Sequence, residues 1–527
     1  MSRSIIKKAA GIASSTLLSR FFAYFREILT IQFLGVGVLS DAFFLALRVP
    51  SSLRKIFAEG ALSSVLVPAF IRAEQKNGAD GLNRLLTLSF VMIELLIGLL
   101  VIAICYWAGW IVHQMAPGAS VEYMGASVTF LRILAPFILF LSSSAILSAV
   151  LQATHRFLLP GLAAALLNCM YVFALCCALY HQWSVETLCW SWIFASFVNF
   201  IIHLVVCIAY RFDVAVPDRS TGKEFFYVMV QLVPCIVSVG IGEVNFWIDS
   251  AFASYLQVGT LSLLRCAYQL INIPLGVIAT SLAIVLLPHF SKMGQSRDEL
   301  GLYLSEAISF VTWMIVPIMI VMMFCSREIF ETMFLSDKFT MQHVIQAQAN
   351  MNAYLAGLLF YALEKVILNA FYALQSTGIA TFVVVLTIGM NFFMNKILMS
   401  MYGGMGLALA TSISAGVRIM LFVLILSYYF GINFHAQKLY RLLYNYAVQL
   451  AVLGTVYCSV AMIVARWIAT LTFSYAWQFG YLHGTLNSYF FLHSFGYWIW
   501  FGPLTAIFFA MIYGTRRFFG VSFSYLN

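Results

Sequence analysis

The chain has little charge. Only 9% of its 527 residues are Asp, Glu, Lys or Arg, against about 25% in a soluble protein of ordinary composition. That shortfall, with 62% hydrophobic residues, excludes a soluble enzyme. Polar spacing within the apolar runs is also missing. Stretches such as 95–107 and 315–324 are continuously apolar, which excludes a membrane β-barrel, whose strands alternate polar and apolar residues. Paired cysteines are absent. The ten are scattered, mostly within apolar runs, and read as small buried hydrophobes. No small-residue cleavage pattern follows the basic stretch 1–8, so the first helix is expected to be retained. There is no P-loop, nucleophile elbow, HExxH or paired-cysteine motif, so no ATP hydrolysis by this chain is expected. Energy would come from an ion gradient such as sodium, the membrane potential or the substrate gradient.

What remains is an all-α polytopic membrane protein. Apolar stretches near the ~20 residues needed to cross a bilayer recur throughout. They predict about fourteen transmembrane helices, near 9–34, 40–70, 85–112, 124–151, 159–180, 187–210, 226–256, 262–290, 304–324, 342–374, 379–400, 404–430, 442–466 and 488–514. With a cytoplasmic N-terminus, sixteen Lys/Arg fall in loops on one side and four in loops on the other. The positive-inside rule then places both termini in the cytoplasm. The net charge of +9 follows from these loops and needs no nucleic-acid partner.

The chain also resembles itself. Leu151-Gln152-Ala153-Thr154 and then Asn168 match Leu374-Gln375-Ser376-Thr377 and then Asn391 at a lag of 223. Ser89-Phe90-Val91 matches Ser309-Phe310-Val311, and Leu66-Val67-Pro68-Ala69-Phe70 matches Leu286-Leu287-Pro288-His289-Phe290, both at 220. The shared lag covers six helices. It predicts an N-terminal six-helix bundle over 1–222 and a second over 223–436, related by a pseudo-two-fold axis along the membrane normal. Two further helices follow over 437–527.

Nine Lys/Arg fall inside the spans, five of them in spans one and two: Arg20, Arg26, Arg48, Arg54 and Lys55. A base at mid-membrane costs on the order of 3 kcal/mol on insertion scales, so such residues face a partner or a water-filled cavity. On span two, Arg48, Ser52, Lys55 and Glu59 lie within about 40° of Asp41 on a helical wheel, a stripe suited to one wall of a cavity. Pro50 is expected to kink it. Glu27, Asp41 and Glu59 are three acids against five bases, and an anionic ligand would make up the difference. Forked guanidinium donors fit phosphate oxygens. Span seven carries Glu243, Asn245 and Asp249, and span eleven carries Asn391 and Asn395. These are oxygen ligands for a cation or interhelical hydrogen-bond partners. Glu364 and Lys365 are expected to pair locally.

The ordered set Ser19-Arg20, Arg26-Glu27, Asp41-Ala42-Phe43-Phe44, Pro50, Arg54 and Glu59-Gly60-Ala61 resembles the MviN/MurJ family of lipid II flippases, within the superfamily of multidrug and polysaccharide exporters. The resemblance implies a flippase that carries the lipid-linked peptidoglycan precursor across the bacterial inner membrane by alternating access. It implies that Arg20, Arg26 and Arg54 line a central cavity and bind the pyrophosphate and sugar headgroup. Asp41 and Arg48 match further family positions, and the last two helices form a groove for the lipid tail. Gln269 stands where the family has an arginine; Arg265, one turn earlier, is expected to take that role. Ala23 replaces a usual glycine. A sodium site known in some members maps onto Asp249, Asn391, Asn395 and Thr411, with Asn395 in place of an acid. The partners implied are lipid II and membrane lipids, with the protein acting as a monomer. The competing functions are a flippase for another polyprenyl-pyrophosphate glycan, a multidrug cation exporter, which the arginine surplus disfavours, and a membrane-embedded glycosyltransferase or ligase acting on the same lipid.

Overall fold

The computed structural model describes residues 21–57, 61–210, 212–293, 296–479 and 486–521. Every regular element among them is helical, with one isolated bridge between Ser336 and Phe339. Ten helices there are long and apolar enough to cross a membrane. The fourteen expected spans are met to that extent. Span one is described only from residue 21 (α1, 21–34). Span two begins as α2 (Val38–Phe57), whose four charged residues Asp41, Arg48, Arg54 and Lys55 set it apart from the apolar spans.

The loop expected around 71–84 is helical instead. α3 runs Ala61–Tyr106, and only Gly78, at φ 66° and ψ −159°, leaves the helical conformation. The surrounding Arg72, Ala73, Glu74, Gln75 and Lys76 are good helix formers. The left-handed position falls on the residue with no Cβ to oppose it.

The chain packs as two compact units, residues 1–263 and 264–527. The first continues with α4 (Ala108–Met115), α5 (Val121–Leu134), α6 (Phe137–Ala153), α7 (Leu158–His181), α8 (Val185–Ala209), α9 (Arg219–Ala253) and the start of α10 (Thr260–Pro274). In the second, α10 passes through a π-helical turn, Leu275–Ala279, into α11 (Thr280–Met293), then α12 (Arg297–Phe324), α13 (Ser326–Phe334), α14 (Met341–Leu355), α15 (Leu358–Ala373), α16 (Thr377–Tyr402) and α17 (Gly404–Leu424). A second π turn, Ile425–Tyr429, precedes α18 (Ala436–Phe479) and α19 (Leu486–Thr515). These last two helices pack on α12. Trp313 sits in an apolar cluster with Tyr446, Tyr457, Phe508 and Ile512, and the Tyr446 hydroxyl donates to the Trp313 carbonyl at 3.1 Å.

The internal repeat is visible in the geometry. α5–α6 and α14–α15 each form a 33-residue segment, Val121–Ala153 and Met341–Ala373, starting 220 residues apart. Each ends in the same turn. Arg156 N–H donates to the Leu151 carbonyl and Ser376 N–H to the Phe371 carbonyl, around left-handed His155 (φ 60°) and Gln375 (φ 51°). Both pairs stand at a lag of 220. The Leu-Gln-x-Thr match at 223 is therefore three residues out of structural register. The other two sequence matches keep it.

Candidate functional site

Arg26 lies on α1. Its Nη1 donates to Asn168 Oδ1 of α7 at 2.9 Å, and its Nη2 reaches the adjacent Glu27 carboxylate at 3.4 Å. Its guanidinium lies 5.5 Å from the Trp192 ring centre on α8. Trp192 stacks on Tyr171 of α7 at 4.3 Å. Tyr171 is within electrostatic range of both Arg26 and Arg54. One base of α1 thus packs against an aromatic pair from α7 and α8. Buried Phe43 of α2 meets Trp192 edge-on at 5.6 Å.

The polar stripe of α2 faces α9 and the first turn of α10. Lys55 Nζ lies 2.7 Å from Glu243 Oε1, and Ser52 Oγ donates to Glu243 Oε2 at 2.8 Å. Arg48 lies 4.2 Å from the Phe246 ring centre, with Lys55 at 5.5 Å from the same ring. Glu243 and Phe246 are one turn apart on α9, so one face of that helix receives both bases. Asp41 is buried and bonded to backbone. It accepts from Gly259 N–H at 2.7 Å and Ser262 N–H at 2.8 Å, and also from the Ser262 hydroxyl. A carboxylate at the positive end of a helix dipole is stabilised without a basic side chain. The pairing expected among Glu27, Asp41 and the nearby bases is thus redistributed. Glu27 meets Arg26, Lys55 takes Glu243 from another helix, and Asp41 caps α10. Arg20 and Glu59 lie outside the described residues.

Arg265 and Gln269, one turn apart on α10, are both half-buried. They belong to the second unit, as do Asn391, Asn395 and Thr411. Asn395 Nδ2 donates to Asn391 Oδ1 at 3.0 Å, and Asn391 Nδ2 to Thr411 Oγ1 at 3.5 Å. Two amides and a hydroxyl are therefore chained to one another, with Asn395 Nδ2 and Asn391 Oδ1 already engaged. They carry no negative charge, and a cation would have to break the Asn–Asn bond. As bonded here, the three do not fit a tight cation site. Asp249, buried on α9, is the one carboxylate of the four expected ligands. Among the described residues no cluster of three or more His, Cys, Asp or Glu could hold a metal. Glu364 pairs with Arg418 of α17 at 2.9 Å rather than with Lys365. At positions 364 and 365, adjacent on a helix, the side chains diverge by ~100°.

Asn168 and Ser262 are the partners that sequence reasoning missed. Asn168 appeared in the sequence only through the match at 223, which is out of structural register and so no signal for its role. Ser262, 221 residues from Asp41, had no local signal.

A family model described as "Lipid II flippase MurJ" matches residues 31–478. The chain belongs to the MurJ family. It is 27% identical over 459 residues to the "Probable lipid II flippase MurJ" of Vibrio cholerae, covering 84% of this chain and 85% of the relative. It is 27% identical over 427 residues to that of Buchnera aphidicola subsp. Schizaphis graminum, covering 79% and 82%. The solved structure "Lipid II flippase MurJ, inward closed conformation" superposes with a TM-score of 0.72 at 23% identity, over 95% of this chain and 98% of that one. An inward-facing multidrug resistance MATE transporter of the MOP superfamily shares the fold at a TM-score of 0.63 and 12% identity, over 77% and 94%. This MurJ-family chain is thus a multi-pass helical membrane protein of exporter-superfamily fold.

Proposed function

We propose that the protein is a lipid II flippase. It moves the lipid-linked peptidoglycan precursor from the inner to the outer leaflet of the bacterial inner membrane by alternating access. The observation that carries this reading is the family match over residues 31–478, and the Vibrio cholerae and Buchnera relatives are both named probable lipid II flippases.

Arg26 and Arg54, with Arg20, bind the pyrophosphate and sugar headgroup. What supports this is the place of Arg26 beside the Trp192 ring and Asn168; Arg20 and Arg54 rest on the family resemblance. Arg26 shares a modest 3.4 Å contact with Glu27, which a doubly charged pyrophosphate would outcompete with bidentate geometry. Arg265 serves the headgroup from α10. Lys55, Arg48 and Asp41, with their protein partners, position α2. α18 and α19 carry the groove for the polyprenyl tail. The 1–222, 223–436 and 437–527 division, cytoplasmic termini and a monomeric state complete the reading, the orientation resting on the loop Lys/Arg bias. With no P-loop in the chain, the driving force is an ion gradient, the membrane potential or the substrate gradient.

Depletion of a resident lipid II flippase, complemented with this chain, tests the reading. Wild type is expected to restore growth, and Arg20→Ala, Arg26→Ala and Arg54→Ala to fail while still accumulating in the membrane. Rescue by all three variants would remove the headgroup assignment. A labelled-lipid assay separates transport from chemistry: lipid II must change leaflet with its mass unaltered.

A further inference from the structure

Glu364 is the last acidic residue of the chain: no Asp or Glu follows it as far as Asn527, and Arg418 takes it. The bases continue. Arg516 and Arg517 stand just past the end of α19, in different surroundings. Arg517 is exposed, whereas Arg516 is only 6% exposed. Arg516 Nη1 is buried and has no hydrogen-bond partner among the described residues. The contact its guanidinium does make is with the Tyr513 ring, whose centre lies 4.2 Å away. A ring face offsets only part of the hydration that a buried cation gives up. The carbonyl end of a helix also favours a cation, but two of the carbonyls here are taken. Those of Arg516 and Arg517 accept from Val521 N–H at 2.8 Å and Gly520 N–H at 3.0 Å. Gly520, at φ 71°, closes that turn in the left-handed conformation. Among the described residues, the buried guanidinium therefore has charge and donors to spare and no anion to meet them.

The turn lies at the edge of the apolar spans. Gln449 Nε2 of α18 donates to the Ile512 carbonyl at 2.8 Å and to Thr515 Oγ1 at 2.9 Å, which sets the first part of α18 beside the end of α19. Tyr440 and Tyr444 are exposed and stacked on each other at the start of the apolar span Leu439–Val464. Tyr513 and Phe518 are exposed as well. Exposed aromatic rings at the ends of spans mark the membrane–water interface, the level of the lipid headgroups. The side-chain amide of Asn445 lies against Gly520 and brings a second N–H donor to the same turn. We propose that this turn, in the second compact unit, is a binding site for the phosphate of one anionic phospholipid of the surrounding bilayer. The forked N–H donors of Arg516 match phosphate oxygens. Exposed Arg441 and Arg517 add a general attraction for anionic headgroups. The aromatic belt points to a lipid rather than a free phosphate, since acyl chains attached to that phosphate meet the apolar faces of α18 and α19.

The test is native mass spectrometry of the full-length protein in detergent with phosphatidylglycerol added. It contains no lipid II, so failure of this inference and failure of the transport reading are separable. Wild type is expected to retain one phosphatidylglycerol in preference to phosphatidylcholine. Arg516→Gln should weaken that binding about tenfold or more, the effect of losing a charge-assisted hydrogen bond. Arg517→Gln removes the same charge from the exposed neighbour and should leave the bound lipid in place. If Arg516→Gln does not accumulate, Arg516→Lys decides: it keeps the charge without the fork, and is expected to weaken binding several-fold. Equal retention by wild type and the Arg516 variant, equal retention of phosphatidylcholine, or displacement of the lipid by inorganic phosphate would overturn the proposal.

Discussion

Lys55 and Glu243, 188 residues apart in the chain, meet at 2.7 Å and tie α2 to α9. The carboxylate side chain is 9% exposed and the lysine 39%, so most of the cost of separating them falls on Glu243. Lys55→Met leaves Glu243 with the Ser52 hydroxyl. The expected loss is on the order of 1–3 kcal/mol, the cost of a buried acceptor robbed of a partner, seen as a lower denaturant midpoint in detergent. Glu243→Gln in the same background should recover part of it. Additive losses in the double variant would mean the two side chains do not interact.

Asp41→Asn is expected to destabilise by roughly 1.5–3 kcal/mol, since a charged acceptor of three hydrogen bonds is lost and an amide donor is turned towards N–H groups. The interaction is with backbone and a hydroxyl, not with a base. Raising salt should therefore leave the difference between wild type and variant almost unchanged, as buried contacts are screened little. Amide exchange at the start of α10 would report the same loss locally. Unaltered protection at Ser262 in the variant would be the contrary result.

Asp218 caps α9 outside the membrane. It accepts from Thr221 N–H at 2.7 Å and from the Ser220 and Thr221 hydroxyls. These hydrogen bonds, the Thr221 N–H first, hold its carboxyl well below the usual carboxylate range. The folded value is the lower one, so the cap stabilises fully above the ordinary carboxylate pKa, and that contribution is lost as pH falls through the folded value. Hydrogen exchange at the first turn of α9 should rise in strong acid in wild type. Asp218→Asn should abolish that acid dependence.

Sodium should have little effect on transport. Asn391, Asn395 and Thr411 are neutral and bonded to one another. A flux assay from sodium-free to high sodium is expected to be flat for wild type, and Asn395→Asp to introduce a dependence by supplying charge. A steep sodium response in wild type would show that this cluster opens to admit the ion.

The helical architecture, the repeat and the basic bias of the first two spans were legible in the sequence because they rest on composition and spacing. Glu243 was legible as an intramembrane acid, but not as the partner of Lys55. Asp41 read as a charge partner and is instead a helix cap. Such choices depend on which faces pack, and residues about 200 positions apart leave no periodic trace of it. The repeat match at 223 shows the opposite failure. Similar letters at 151–154 and 374–377 lie one helical turn out of step, while dissimilar His155 and Gln375 occupy the same left-handed position. Backbone geometry constrains that position more tightly than side-chain identity does.

The recurrence of that turn bears on how the two halves came to differ. A duplicated ancestor supplies two scaffolds with the same helix breaks, and only one copy must keep any given inherited task. The first half then keeps Arg26 beside Trp192 and its stacked Tyr171, whereas the second carries the neutral amides of Asn391 and Asn395 bonded to each other.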